Sequence, residues 1–123
     1  MRHVWRSLRD AFTGLKYCFA TQRNMTIHGV FGGLVLLAAL LLKVTALELL
    51  LLTAVICAVL VAEAFNTAVE KAVDLCTREQ NELAHIAKDV AAGAVLLTAI
   101  FAVIAGLFIF APRLWHLFSS WGS

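Results

Sequence analysis

Three stretches of this chain carry no charged residue, and they limit what it can fold into more than any other feature. The first runs from Ile27 to Leu42 with only His28 interrupting it near its start, the second from Leu49 to Ala62, and the third from Val90 to Ala111. The third alone is long enough for a hydrocarbon core that takes about 20 residues of helix. The first two reach that length once Met25-Thr26 and Val44 to Glu48 extend them. With 62% of its 123 residues hydrophobic and 15% charged, a soluble domain of this size has nowhere to hide the apolar surface. The bilayer is therefore the solvent. The expected fold is an all-α membrane protein forming one domain over 1–123, with transmembrane helices at about 25–43, 46–70 and 86–111 and a cytoplasmic loop at 71–85.

Lysine and arginine set the orientation. The N-terminal segment holds Arg2, Arg6, Arg9, Lys16 and Arg23, and the region between the second and third spans holds Lys71, Arg78 and Lys88. The other side holds only Lys43 and Arg113. This asymmetry predicts a multi-pass membrane protein with a cytoplasmic N-terminus. Trp115, Phe118 and Trp121 after Pro112 read as an outer interfacial belt. Residues 1–21 differ in kind. At 100° per residue Val4, Leu8, Phe12, Leu15 and Phe19 fall within an arc of about 80°, while Arg2, Arg6, Arg9, Asp10, Thr13 and Lys16 gather opposite. Such a helix lies on the membrane surface with its arginines toward anionic headgroups, or serves as an amphipathic linker. The chain does not open on an apolar segment of signal-peptide type.

The chemistry concentrates where the second span ends. Glu63, Asn66, Glu70 and Asp74 are spaced 3, 4 and 4, so they share one helix face within about 80°. Along the axis Glu63 lies about 10 Å from Glu70 and about 16 Å from Asp74. The row starts beneath the headgroups and ends in the cytoplasm. Stacked like charges repel, and a carboxylate below the interface costs a few kcal/mol on insertion scales (about 3). A divalent cation is the economical occupant, and magnesium suits a sparse set because it takes one or two carboxylates together with phosphate oxygens and water. The plainer reading makes Glu70 and Asp74 a solvated helix end, with Glu63 paired to a lysine or arginine on a neighbour. After the loop, Glu79 and Glu82 precede Ala87-Lys88-Asp89-Val90-Ala91-Ala92-Gly93. Lys88 at that mouth either holds a nucleotide phosphate as a point charge or snorkels at a helix end. The small residues after it let another helix approach closely.

Several classes are unsupported. Neither GxxxxGK[ST] nor GxGxxG nor a protein-kinase signature occurs, so phosphoryl transfer here would use none of the soluble nucleotide folds. Cys18, Cys57 and Cys76 are odd in number and never form CxxC, which argues against disulfides and zinc and reads as three buried small hydrophobes. A net charge of +2 gives no sign of a nucleic-acid partner.

The pattern Glu63-x-x-Asn66-Thr67-Ala68-x-Glu70-x-x-x-Asp74, followed by Ala87-Lys88-Asp89-x-Ala-Ala-Gly93-Ala-Val-Leu96, resembles the bacterial integral-membrane diacylglycerol kinase and undecaprenol kinase family over roughly residues 5–112. The resemblance implies a homotrimer with active sites shared between subunits. It also implies an ATP- and Mg2+-dependent kinase that phosphorylates the hydroxyl of a membrane lipid alcohol at the cytoplasmic interface. By position, Glu63 matches the catalytic base and Glu70 a magnesium ligand. Asn66 matches a residue supporting the substrate hydroxyl, and Asp74, Glu79, Lys88 and Asp89 match the nucleotide-binding side. Gln22 stands where the family has a second glutamate ligand for the metal on the nucleotide. A glutamine oxygen coordinates without charge, so metal affinity should fall, and a weakened or silent family member is one consequence. Gln22-Arg23-Asn24-x-x-x-His28 is similar to the undecaprenol kinases of Gram-positive type, which favours undecaprenol over diacylglycerol. Asn24 and His28, an i, i+4 pair near the lipid-facing entrance, are candidate substrate contacts, although His28 equally suits helix packing. An ion or proton transporter built on Glu63 is the competing class; it has no use for the cytoplasmic extension through Asp74 and Lys88.

Overall fold

A computed structural model describes residues 1–122 as four helices: α1 (Arg2–Thr21), α2 (Arg23–Leu41), α3 (Ala46–Cys76) and α4 (Glu82–Trp121). The described residues contain no strand, and α2, α3 and α4 are each long and apolar enough to cross a membrane. The helices outrun the apolar stretches. α3 continues past residue 70 to Cys76, and α4 starts at Glu82 and passes through Pro112 to Trp121. The loop expected over 71–85 is therefore reduced to residues 77–81. Hydropathy marks where the membrane ends, whereas Glu70 to Leu75 contains no glycine or proline to stop the helix. α2 likewise begins at Arg23 and ends at Leu41, displaced from the expected 25–43.

Gln22 breaks the chain between α1 and α2 with extended backbone (φ −104°, ψ 110°). The Thr26 hydroxyl donates to the Phe19 carbonyl at 2.9 Å, satisfying an acceptor that the end of α1 leaves free. Along α1 only Cys18 is buried, and the Lys71 ammonium stands 5.9 Å from the centroid of the Tyr17 ring, linking α1 to α3. Cys57 and Cys76 are exposed, contrary to the expectation of three buried cysteines. Their helical positions fall off the inward stripe of α3.

α2 meets α3 closely at Gly32, where a Cβ would lie 2.7 Å from Ile56 Cγ2. Toward the α2–α3 turn, Ala39, Leu52 and Ile109 form a buried cluster surrounded by Val35, Leu36 and Phe110. The turn itself places Lys43 at φ 54°, in the left-handed region. α3 then starts with a reciprocal cap: Glu48 N–H donates to Thr45 Oγ1 at 3.2 Å, and Thr45 N–H donates to Glu48 Oε1 at 3.0 Å. At the start of α4, Asn81 Oδ1 accepts from Leu83 N–H (2.9 Å) and Ala84 N–H (3.3 Å).

α3 and α4 form the central hairpin, tied at both ends by ion pairs. At one end Arg113 grips Glu48 in a two-pronged contact (2.7 Å and 2.5 Å) and also donates to the Ile109 carbonyl. At the other, Lys88 Nζ donates to Asp74 Oδ1 at 2.7 Å. Across the whole described chain only nine apolar residues are buried. Phe31, Leu97 and Phe108 point outward with most of their surface free, as suits side chains that meet lipid or further copies of the chain.

Candidate functional site

The buried stripe of α3 runs Leu52, Val55, Val59, Glu63, Thr67, so the first carboxylate of the acidic row continues the apolar seam into the bundle. Helical periodicity brings Asn66, Glu70 and Asp74 onto the same side in succession. The row is thus confined to one side of α3.

Glu63 is 3% exposed, and Oε1 lies 3.3 Å from His28 Nε2 on α2. Its backbone carbonyl accepts from the Thr67 hydroxyl at 3.0 Å, which accounts for the buried threonine one turn on. Asn66 donates its amide to Glu70 Oε1 at 3.3 Å, while Asn66 Oδ1 is buried with no partner. A buried polar oxygen without a hydrogen bond is rare and usually reports a missing ligand or water. Lys88 and Asp74 lie at the rim of a polar cavity of about 250 Å3 between the end of α3 and the start of α4, which Arg78, Glu79 and His85 also line. Asp89, expected to share the nucleotide side, instead meets His85 on its own helix at 3.7 Å, both exposed. Gln22 sits at the α1–α2 break with its amide donating to Thr21 Oγ1 at 3.2 Å. Asn24, at the start of α2, is exposed.

The structure therefore brings together three pairs from the sequence-derived set: Glu63 with His28, Asn66 with Glu70, and Asp74 with Lys88. It leaves Glu79 on the wall of the polar cavity, pairs Asp89 with His85 outside that lining, and gives Gln22 a neighbour within its own segment. Among the described residues no three His, Cys, Asp or Glu side chains converge to hold a metal. A magnesium ion carried on a nucleotide does not need three. Glu70 with the unpartnered Asn66 Oδ1 supplies hard oxygen donors and leaves the remaining positions to phosphates and water, so the residues fit that ion. Arg78 and His85 were given no binding role from spacing, and the short loop that folds them beside Lys88 was the missing information. The Glu48–Arg113 pair joins residues 65 apart and had no signal in either helix alone.

A family model described as prokaryotic diacylglycerol kinase matches residues 9–110 of this chain. A diacylglycerol kinase of Synechocystis sp. is 48% identical over 112 residues, covering 90% of this chain and 64% of that protein. The chain thus spans slightly under two thirds of that relative's length. The undecaprenol kinase of Bacillus subtilis is 34% identical over 114 residues, with 93% of each chain covered. A diacylglycerol kinase of Escherichia coli strain K12 is 33% identical over 94 residues, 76% of this chain and 77% of that one.

Proposed function

This chain belongs to the prokaryotic diacylglycerol kinase family, and from that premise we propose that it is a membrane lipid kinase that moves the γ-phosphoryl group of ATP to the hydroxyl of a lipid alcohol. The observation that carries the reading is the buried Glu63 at the head of a graded row that ends in the Asp74–Lys88 pair beside a polar cavity. A proton or ion channel would use the first of these and leave the rest without purpose.

Depth supports the assignment. The two ion pairs of the hairpin are separated by about 39 Å along α3, at 1.5 Å per residue. A hydrocarbon slab of about 30 Å anchored at Glu48–Arg113 ends close to Ala68. Glu63 then lies about 7 Å inside and Glu70 just outside. A lipid hydroxyl arriving from the leaflet and a nucleotide arriving from water meet between them.

In the transfer, Glu63 accepts the proton of the lipid hydroxyl as its oxygen attacks the γ-phosphorus. The bond from that phosphorus to the ADP oxygen breaks, and ADP leaves to the cytoplasm. Asn66 steadies the hydroxyl and the Glu70 carboxylate. Lys88, held by Asp74, offers cationic charge to the phosphates, and Glu79 and Asp89 border the nucleotide. Glu70, with Asn66 Oδ1 and Gln22, would hold Mg2+, which when bound would neutralise charge on the nucleotide phosphates. Undecaprenol is the first substrate to test, because of the Gln22–His28 segment, and diacylglycerol the second; the names of the relatives divide between the two. A homotrimer in the bacterial plasma membrane, N-terminus cytoplasmic, completes the reading. The outward apolar faces support further copies packing beside this one.

The test is a phosphorylation assay on the purified chain in micelles with both lipids and a magnesium titration. Wild type should turn over, and Glu63→Gln should lose at least a hundredfold in kcat, about the lower bound for removing a positioned base, with assembly unchanged. Full activity of E63Q removes Glu63 as base, and cation movement in proteoliposomes without ATP consumption by the wild type removes the kinase.

A further inference from the structure

The Glu63 carboxylate has one polar side chain against it among the described residues, and that side chain comes from another helix. His28 Nε2 stands 3.3 Å from Oε1, and no lysine or arginine pairs with either residue. The exposures are unequal: 29% of the His28 side chain is accessible against 4% for Glu63. His28 lies in a groove of about 410 Å3 between α2, α3 and α4 whose neighbouring walls, Phe31, Val55, Val59, Ala99 and Val103, carry no hydrogen-bonding group. His28 is the one side chain lining that groove that can form a hydrogen bond. A glutamate side chain has three rotatable bonds, and a base that must meet a hydroxyl has to be fixed to within about 0.5 Å.

We infer that His28 is a positioning residue for Glu63 and not a substrate contact. The inference rests on the lipid-kinase reading above. From 3.3 Å the Nε2 edge of the imidazole faces Oε1, restrains the carboxylate plane, and leaves Oε2 as the oxygen that meets the lipid hydroxyl. Asn24, one turn earlier and exposed, takes no part in this contact. The proton balance is that of the transfer itself: the hydroxyl proton goes to Glu63, and His28 keeps its own throughout.

The geometry separates variants that composition would treat alike. A glutamine at 28 carries its amide nitrogen to the place of Nε2, whereas an asparagine carries it to the place of Nδ1, short of Oε1. His28→Gln should therefore keep kcat within about threefold of wild type, while His28→Asn and His28→Leu lose about a hundredfold, the lower range for a misdirected general base. KM for the lipid and for ATP should not move in any of the three. His28→Asn is polar and slightly smaller than histidine, so its loss is not a failure to fold, which elution as the wild-type assembly checks. Equal kcat in all variants overturns the inference, as does a loss in His28→Gln matching that in His28→Asn. A rise in lipid KM with kcat intact restores His28 as a substrate contact. A wild-type chain inactive on every lipid alcohol refutes the kinase reading instead, so the two failures are told apart in one set of preparations.

Discussion

On the proposed kinase reading, one uncharged oxygen, that of Gln22, separates the metal site from a fully acidic one. Gln22 stands at the α1–α2 break, held in extended backbone, and its amide is spent on Thr21. Its carbonyl oxygen is a neutral donor, so an ion near Glu70 meets one carboxylate fewer than a diacid site would offer. Cation affinity in oxygen sites tracks ligand charge. Gln22→Glu should lower the magnesium concentration giving half-maximal rate by about tenfold, equivalent to about 1.4 kcal/mol from one added negative ligand. Titration of the metal at saturating ATP checks this; an unchanged midpoint places position 22 outside the metal site. At this scale the sequence was legible wherever one helix was enough. The spacing of Glu63, Asn66, Glu70 and Asp74 implied one face, and α3 presents them so. It was silent where two helices must be registered against each other: nothing in α2 marks His28 as the neighbour of Glu63, since that contact depends on where the Lys43 turn returns the chain.

At the level of elements, α2 comes close to α3 at Gly32, and its neighbour in sequence provides the control. Gly32 faces Ile56, whose branched Cγ2 sits on a stiff side chain close to its own backbone. A methyl group there cannot be absorbed by a swinging chain end. Gly33 has nothing within 4 Å of its Cβ direction. Both positions gain about 1 kcal/mol of helix propensity on becoming alanine. Only position 32 also incurs overpacking of about 1–3 kcal/mol. Gly32→Ala should thus come out destabilised by about 1 kcal/mol, and Gly33→Ala neutral or slightly more stable. Reversible unfolding in mixed SDS micelles, followed by circular dichroism, ranks the two; the opposite order would show that α2 does not approach α3 at Gly32. Element boundaries were the weakest part of the sequence reading for a related reason. Apolar runs report immersion, and α3 and α4 continue as helices beyond it into water, so the loop over 71–85 contracted to 77–81.

For the molecule as a whole, charge and immersion make one statement that the native cysteines can test. The side holding only Lys43 and Arg113 is less positive than the sequence suggested, because Arg113 is neutralised by Glu48. The opposite side keeps the arginines of α1 together with Lys71 and Arg78, and the proposed orientation puts that more positive side in the cytoplasm. Cys76 follows Asp74 by two residues on that side and is exposed. Cys57 is also exposed on the isolated chain, but it lies about 14 Å from Glu48 along α3, near mid-membrane, where lipid or another copy covers it. Cys18 is buried. A membrane-impermeant maleimide should therefore leave intact cells unlabelled and label inverted vesicles at one position, with the signal lost in Cys76→Ser. Labelling of Cys76 from outside would invert the orientation and put the Asp74–Lys88 cavity out of reach of cytoplasmic ATP, so the proposed kinase would lose its phosphoryl donor. Labelling of Cys57 from either side would mean that water enters the middle of the bundle, the condition a transporter needs and a lipid kinase at the interface does not.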